Sequence, residues 1–147
     1  ELGLVKATAI LGKGNEADEL TNISEVTEEI ESALMLSFFQ AVDSNELTTH
    51  AKSLLDRATV RFVYDLESYI NSGKPTVMTA IAREEHFQQE PNSSVQISFE
   101  YSNGLGEVVM KKVQAEPGTA KQVVVNPDNT IVVNEIDTAA MLPSELR

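Results

Sequence analysis

Two histidines are the first side chains to consider, because histidine can transfer protons and bind metals near neutral pH. His86 directly follows Glu84 and Glu85, and a carboxylate beside a histidine occurs in acid–base and metal sites. A metal site needs further converging ligands, and the H-E-x-x-H pattern is absent. We therefore expect His86 to lie at a strand end, bonded to a neighbouring carboxylate, and His50 to have a structural place in a helix.

The other motifs that carry chemistry are missing or incomplete. No serine lies in a G-x-S-x-G elbow, no loop has the alternating ligands of an EF-hand, and there is no cysteine. Gly12-Lys13-Gly14 lacks the spacing of a phosphate-binding loop, and Glu16, Asp18 and Glu19 would repel a phosphate. The sequence predicts no catalytic residue, no cofactor-binding residue and no metal ligand.

The bulk composition excludes several classes of partner. A net charge of −12 disfavours nucleic acids and anionic lipid surfaces, which attract clustered lysine and arginine. No apolar run reaches the length of about 20 residues that a membrane helix needs. With 147 residues, of which 41% are hydrophobic, the chain is long enough for one ordinary core. We expect residues 1–147 to form a single domain that is a fragment of a larger protein.

The hairpin at residues 94–115 is the strongest structural signal. Val95, Ile97, Phe99 and Tyr101 alternate with polar residues, which predicts a strand with one buried face. Asn103-Gly104 follows, a pair that tolerates positive φ and is typical of a tight hairpin turn. Residues 107–115 are then expected to return as a second strand.

A helical insert is predicted at about residues 22–57. Its first helix should begin at a capping box, Asn22-x-x-Glu25. Apolar residues at steps of three and four predict the core face of this helix: Ile23, Val26, Ile30, Leu34, Phe38 and Ala41, widened by Met35, Leu36, Phe39 and Val42. Asp43-x-x-Glu46 is a second capping box, and the helix after it should bury Leu47, Ala51, Leu54 and Leu55.

The remaining segments predict further strands. They are expected at residues 3–11, 58–66, 76–83, 121–125 and 130–136. On the second of these, Val60, Phe62, Tyr64 and Leu66 should face one way, with Arg61 exposed or paired. Asn126-Pro127-Asp128-Asn129 suits a type I turn, Pro117-Gly118 another turn, and residues 67–74 a polar bend; residues 143–146 suit one helical turn. The fold class is therefore α+β: an antiparallel β meander of hairpins, with an inserted two-helix hairpin near the N-terminus.

The residues around the hairpin resemble a known repeat. Residues 99–108 resemble the tyrosine–aspartate (YD, or Rhs) repeat, with Ser102 in place of the aspartate and Glu107 in place of an arginine. The positions that carry this likeness are Tyr64, Asp65, Tyr101, Asn103, Gly104 and Gly106. Several segments, in the same order, also resemble the B component of bacterial insecticidal toxin complexes (Tc toxins): 5–14, 54–59, 61–66, 82–86, 101–106 and 112–118.

This resemblance implies a function. In that family the region belongs to a hollow Rhs-type β-shell that encloses a cleaved toxin polypeptide. The chain is then expected to be a non-enzymatic structural segment of a secreted bacterial complex. Its expected partners are the remainder of the shell and a C-component toxin polypeptide, with room for a pore-forming A component.

Two other functions stay open at this point. The chain could be a carbohydrate- or protein-binding β-module of a bacterial surface protein, using an aromatic groove at Phe62, Tyr64, Tyr69 and Tyr101. It could also be a hydrolase or metal enzyme that uses His86 with Glu84 or Glu85.

Overall fold

An antiparallel meander with helices on one side forms the body of the protein. The computed structural model describes residues 3–115 and 118–138. Within them one sheet runs in chain order: β1 (Ala7–Thr8), β2 (Val60–Asp65), β3 (Thr76–Arg83), β4 (Val95–Ser102) and β5 (Val108–Val113). A second sheet holds β6 (Thr119–Val125) and β7 (Ile131–Asp137). Helices α1 (Thr21–Glu25), α2 (Glu28–Gln40) and α3 (Ser44–Leu55) lie between β1 and β2, and α4 (Ser68–Ser72) lies between β2 and β3. The predicted α+β meander with a helical hairpin near the N-terminus is confirmed.

The helices begin where side chains can cap them. Asp43 Oδ1 accepts a hydrogen bond from Glu46 N at 2.8 Å, as the second capping box predicts. Glu46 Oε2 in turn accepts a hydrogen bond from Val42 N at 2.7 Å. The first capping box is wrong, because α1 has no side-chain cap and the chain is extended at Val26. α2 starts afresh at Thr27, which accepts from Ile30 N, and three glutamates in its first turn suit the helix dipole.

The core lies between the α2–α3 hairpin and one face of the sheet. The predicted face of α3 is buried as expected, with Leu47, Ala51, Leu54 and Leu55 all in the core. Phe38 of α2 stacks on Phe99 of β4, with ring centroids 6.1 Å apart. The predicted widening of the apolar face is wrong at Leu36 and Val42, which are exposed, Val42 lying beyond the end of α2; Ile30, predicted on the core face, is exposed as well.

The apolar residues of β2 that share a face lie on the outer side of the sheet. Val60, Phe62 and Tyr64 face one way, as predicted, and are half-exposed, whereas Leu66 lies beyond the end of β2 and is exposed. Arg61 and Val63 point at the helices instead, in register with Ile81 and Thr79 of β3. The arginine is tolerated there because Glu31 of α2 forms an ion pair with it.

Several connections also differ from expectation. The predicted strand at residues 3–11 is reduced to β1 and one isolated bridge, Leu11 to Ala17. The polar bend at residues 67–74 contains α4, which ends at Gly73 with φ 69°. The turn at Asn126–Asn129 is present, closed by a bond from Asn129 N to Asn126 O. Pro117 and the helical turn expected at 143–146 lie outside the described residues.

The turn of the β4–β5 hairpin is longer than Asn103-Gly104 alone predicts. Asn103 N donates to Glu107 O at 2.9 Å, and Gly106 N donates to Asn103 O at 3.0 Å. Positive φ falls on Gly106, at 82°, and not on Asn103 or Gly104. The loop is therefore a turn followed by a left-handed residue, a three-residue connection that requires glycine at its third position.

Candidate functional site

Asp18 organises the largest group of polar contacts around the histidine singled out above. It lies on the loop between β1 and α1, and its carboxylate is fully buried. Thr59 Oγ1 donates to Asp18 Oδ2 at 2.5 Å, and Phe87 N donates to Oδ1 at 2.6 Å. His86 Nδ1 lies 3.0 Å from Oδ2. We call these groups, with Arg83, the Asp18 network.

Arg83 completes the network at the end of β3. Its Nε lies 3.7 Å from Asp18 Oδ1 and donates to Ala58 O at 2.7 Å, while Nη2 donates to Asp56 O. The guanidinium carbons of Arg83 and Arg57 each lie 5.2 Å from the centroid of the Phe87 ring. The network therefore joins the β1–α1 loop, the end of α3 and the loop after β3 through charged, hydrogen-bonded and cation–π contacts.

The hydrogen bonds outweigh burial in setting the charge state of Asp18. Burial alone would raise the pKa of this carboxyl. The bonds from Phe87 N, Thr59 and His86, together with the charge of His86, lower the pKa below its ordinary value. Asp18 is therefore held as a carboxylate inside the protein.

The chemistry open to this network is limited by what lies beyond the histidine. In a catalytic triad, a buried aspartate accepts a hydrogen bond from Nδ1–H of the histidine and so orients the imidazole ring. In the described part of the chain, His86 Nε2 has no hydrogen-bond partner, so no nucleophile completes the set. Residues 3–115 and 118–138 contain no cluster of three or more His, Cys, Asp or Glu side chains placed to hold a metal. The contacts of Asp18 with Thr59, Phe87 and Arg83 fasten the β1–α1 loop to the ends of β2 and β3.

The carboxylate that binds His86 is not the one its sequence neighbours suggest. Glu84 and Glu85 are exposed, and Glu84 accepts from Gln96 Nε2 at 3.1 Å. The expected carboxylate partner exists, but it is Asp18, 68 residues earlier in the chain. No local pattern around Asp18 indicated this role. His50 stays within its helix, with Nε2 3.6 Å from Glu46 Oε1.

The residues that carry the resemblance to the YD repeat make local structural contacts. Tyr64 Oη donates to Val5 O at 2.9 Å. Asp65 caps α4 by accepting from Ser68 N at 3.0 Å. Asn103 Oδ1 accepts from the backbone N of Leu105 and of Glu107, which shapes the loop that Gly104 and Gly106 occupy. Tyr101 is half-buried at the edge of the core, beside Lys112.

The four aromatic residues of the suggested groove do not meet. Phe62 and Tyr64 lie on the outer face of the sheet. Tyr101 pairs with Val77 and so lies on the helix-covered face, while Tyr69 is exposed on α4. The structure does not form the groove that a carbohydrate-binding module would need.

The C-terminal strands present apolar surface to solvent. On β5, Val108, Val109, Met110 and Val113 are exposed, and the strand is the last of its sheet. On β7, the consecutive residues Ile131, Val132 and Val133 are exposed. Because successive strand residues point to opposite faces, the β6–β7 ribbon has apolar side chains on both sides that no other described residue covers.

Comparisons with other proteins add no relative. No protein-family model, curated protein or solved structure matches this chain. Among the helices that the structure describes, none is long and apolar enough to cross a membrane.

Proposed function

We propose that this chain is a non-enzymatic structural segment of an Rhs-type β-shell in a secreted bacterial toxin complex, where it helps to enclose a toxin polypeptide. Its partners are the remainder of the shell and the enclosed C-component, with a pore-forming A component as a further member of the complex. The proposal combines the repeat-like hairpin at residues 99–108 with the exposed strands that follow it.

The observation that carries the proposal is the uncovered apolar surface of β5 to β7. A strand edge with exposed apolar side chains is a template for pairing with another strand, and soluble proteins normally protect it with charge or with a covering element. An isolated two-stranded ribbon is only marginally stable in water. The β6–β7 ribbon carries valines or isoleucine on both faces. These features fit a segment whose neighbours in a larger sheet cover them.

The opposite end of the main sheet supports the same interpretation. β1 is only two residues long, so it offers little backbone for further pairing. β5 pairs with β4 on one side and has six residues, so its other edge offers more backbone for pairing than β1 does. A shell that continues from one edge of this meander would continue from β5.

The test compares the 147-residue chain with the longer protein that is proposed to contain it. The coding sequence on either side should contain further Tyr-Asp…Gly repeats. Amide hydrogen exchange of β5, β6 and β7 should be at least about tenfold slower in the full product than in the 147-residue chain alone. The amides of β3, which are already internal to the sheet, are the internal control.

Two results would contradict the proposal. One is a parent sequence without such repeats, or a parent that ends with this chain. The other is equal exchange of β5 to β7 in the two proteins, because the strands would then lack the expected neighbours.

A further inference from the structure

A cavity on the helical side of the sheet contains polar groups that the protein itself does not satisfy. Its volume is about 190 Å³. It lies between α1, α2, the end of α3 and β2, and its apolar lining includes Ile23, Val26, Leu34 and Leu54. A single water needs about 10–15 Å³, so the space admits several waters or one small organic molecule.

Arg61 supplies the unused donors. Only 3% of the residue is exposed, and it lines the cavity from β2. Its Nη2 donates to Glu31 Oε1, but Nε and Nη1 are buried without a partner among the described residues. A buried guanidinium with free N–H groups is costly, so a native protein normally satisfies such donors with protein, water or ligand.

Asp56 supplies an unused acceptor on the same cavity. Its Oδ2 is buried and has no hydrogen-bond partner within the part of the chain that the structure describes. The residue follows α3 with a positive φ of 48°, an uncommon conformation for a residue other than glycine. Asp56 therefore brings a buried carboxylate oxygen without a partner to the lining of the cavity, from a backbone position that is itself unfavourable.

The charges around the cavity select against a simple ion. Glu31 is shared by Arg61 and by Lys6, whose Nζ lies 2.6 Å from Oε2. Asp56 in turn interacts with the charge of Arg83, so groups of both signs border the cavity. An anion on Arg61 would also meet two carboxylates, and a cation on Asp56 would also meet two basic groups.

We propose that this cavity binds a small zwitterion with an apolar side chain, of the α-amino-acid class. The ligand carboxylate accepts from Arg61, the ligand ammonium donates to Asp56, and the side chain packs against Ile23, Val26 and Leu34. The inference goes beyond a passive role in a shell, and it concerns a face of the protein distant in sequence from β5 to β7.

The test is titration of the 147-residue chain with L-leucine, L-leucinamide and N-acetyl-L-leucine. Binding is measured by calorimetry and by the increase in melting temperature. Leucinamide lacks the carboxylate, and N-acetyl-leucine lacks the ammonium. We expect saturable binding of leucine and at least about tenfold weaker binding of each analogue, the contribution of a hydrogen bond to a charged group.

The variant Asp56→Asn tests recognition of the ligand ammonium separately from recognition of the ligand carboxylate. Asparagine tolerates positive φ, so the fold should be retained, which far-UV circular dichroism can verify. Leucine should bind about tenfold more weakly to this variant, whereas the anionic N-acetyl-leucine, which then meets one carboxylate fewer, should bind no more weakly than before. Glu29→Gln removes an exposed acid from α2 without touching the cavity, and it should leave both affinities unchanged.

The proposal is overturned if leucine shows no saturable binding, if the three probes bind equally, or if Asp56→Asn binds leucine as well as the unmodified chain. The first result would mean that the cavity holds water only, and the other two would mean that Arg61 and Asp56 do not recognise the charged ends of the ligand. None of them bears on the hydrogen exchange of β5 to β7, so the two proposals fail independently.

Discussion

Replacing Asp18 by asparagine removes the charge at the centre of the Asp18 network with almost no change of shape. Asparagine offers one acceptor oxygen where aspartate offers two, and its amide group faces donors. Thr59 can turn its hydroxyl away, but the N–H of Phe87 is fixed by the backbone. The carboxylate of Asp18 is also the acidic group nearest to the buried side chain of Arg83.

The expected loss follows from those contacts. A hydrogen bond to a charged group contributes about 1.5–3 kcal/mol, and an unpaired partner left buried adds to the cost. Breaking a buried charge pair typically costs about 3–5 kcal/mol. We expect Asp18→Asn to lower the free energy of unfolding by about 3 kcal/mol at pH 7, measured by urea unfolding with far-UV circular dichroism.

The pH dependence of the free energy of unfolding distinguishes the loss of the Asp18 charge from a change in packing. The folded pKa of Asp18 lies below its ordinary value, so its stabilisation is fully present above the unfolded pKa of about 3.9. It is lost as pH falls from there through the folded pKa. The gap in stability between the unmodified chain and Asp18→Asn should therefore be fully present at pH 5 and should narrow below pH 4.

Glu85→Gln is the matched control, because it makes the same change of charge one residue from His86 but at an exposed position. It should alter the free energy of unfolding by no more than about 0.5 kcal/mol. The reasoning is refuted if the two variants are equally stable, or if the gap for Asp18→Asn is the same at pH 7 and at pH 3.

Three further substitutions test the core and the hairpin loop by the same unfolding assay. Thr79 is 0% exposed and its hydroxyl has no partner within residues 3–115 and 118–138, so Thr79→Val should raise the free energy of unfolding by about 1 kcal/mol; a loss would reveal a hydrogen bond. Gly106→Ala should cost about 1 kcal/mol because φ is 82°, whereas Gly104→Ala, without positive φ, should cost much less; equal losses would contradict the loop geometry. Phe38→Ala should cost about 3–5 kcal/mol through loss of its contact with the sheet, against less than about 1 kcal/mol for Leu36→Ala, which is 58% exposed on the same helix.

The elements that could be predicted from the sequence are those governed by nearby residues. The α3 helix was foreseen because its cap, Asp43, and its four buried residues lie within a few turns of each other. β4 was foreseen because Ile97 and Phe99 alternate with polar residues on a strand with one covered face. Capping and periodicity act over about four residues, so one stretch of sequence contains the whole signal.

The buried polar contacts could not be predicted, because their partners are far apart in the chain. Asp18 meets His86 across 68 residues, and Glu31 meets Arg61 across 30. From the sequence, Arg61 is predicted only as exposed or paired, and it takes the position of Glu31 to show that the arginine is paired and lies on the core face of β2. The turn predicted at Asn103-Gly104 is wrong for a related reason. The pairing of Asn103 with Glu107 sets the length of the loop and places the positive φ on Gly106.

The long span of the Asp18 contacts has a consequence for how the chain acquires its structure during synthesis. The backbone N–H of Phe87 that binds Asp18 is added 69 residues after it. At about 5–20 residues per second, the β1–α1 loop waits roughly 3–14 s for that partner. During this interval the loop can reach Thr59 and Arg57 but lacks the N–H of Phe87, and it is open to proteases or to a chaperone.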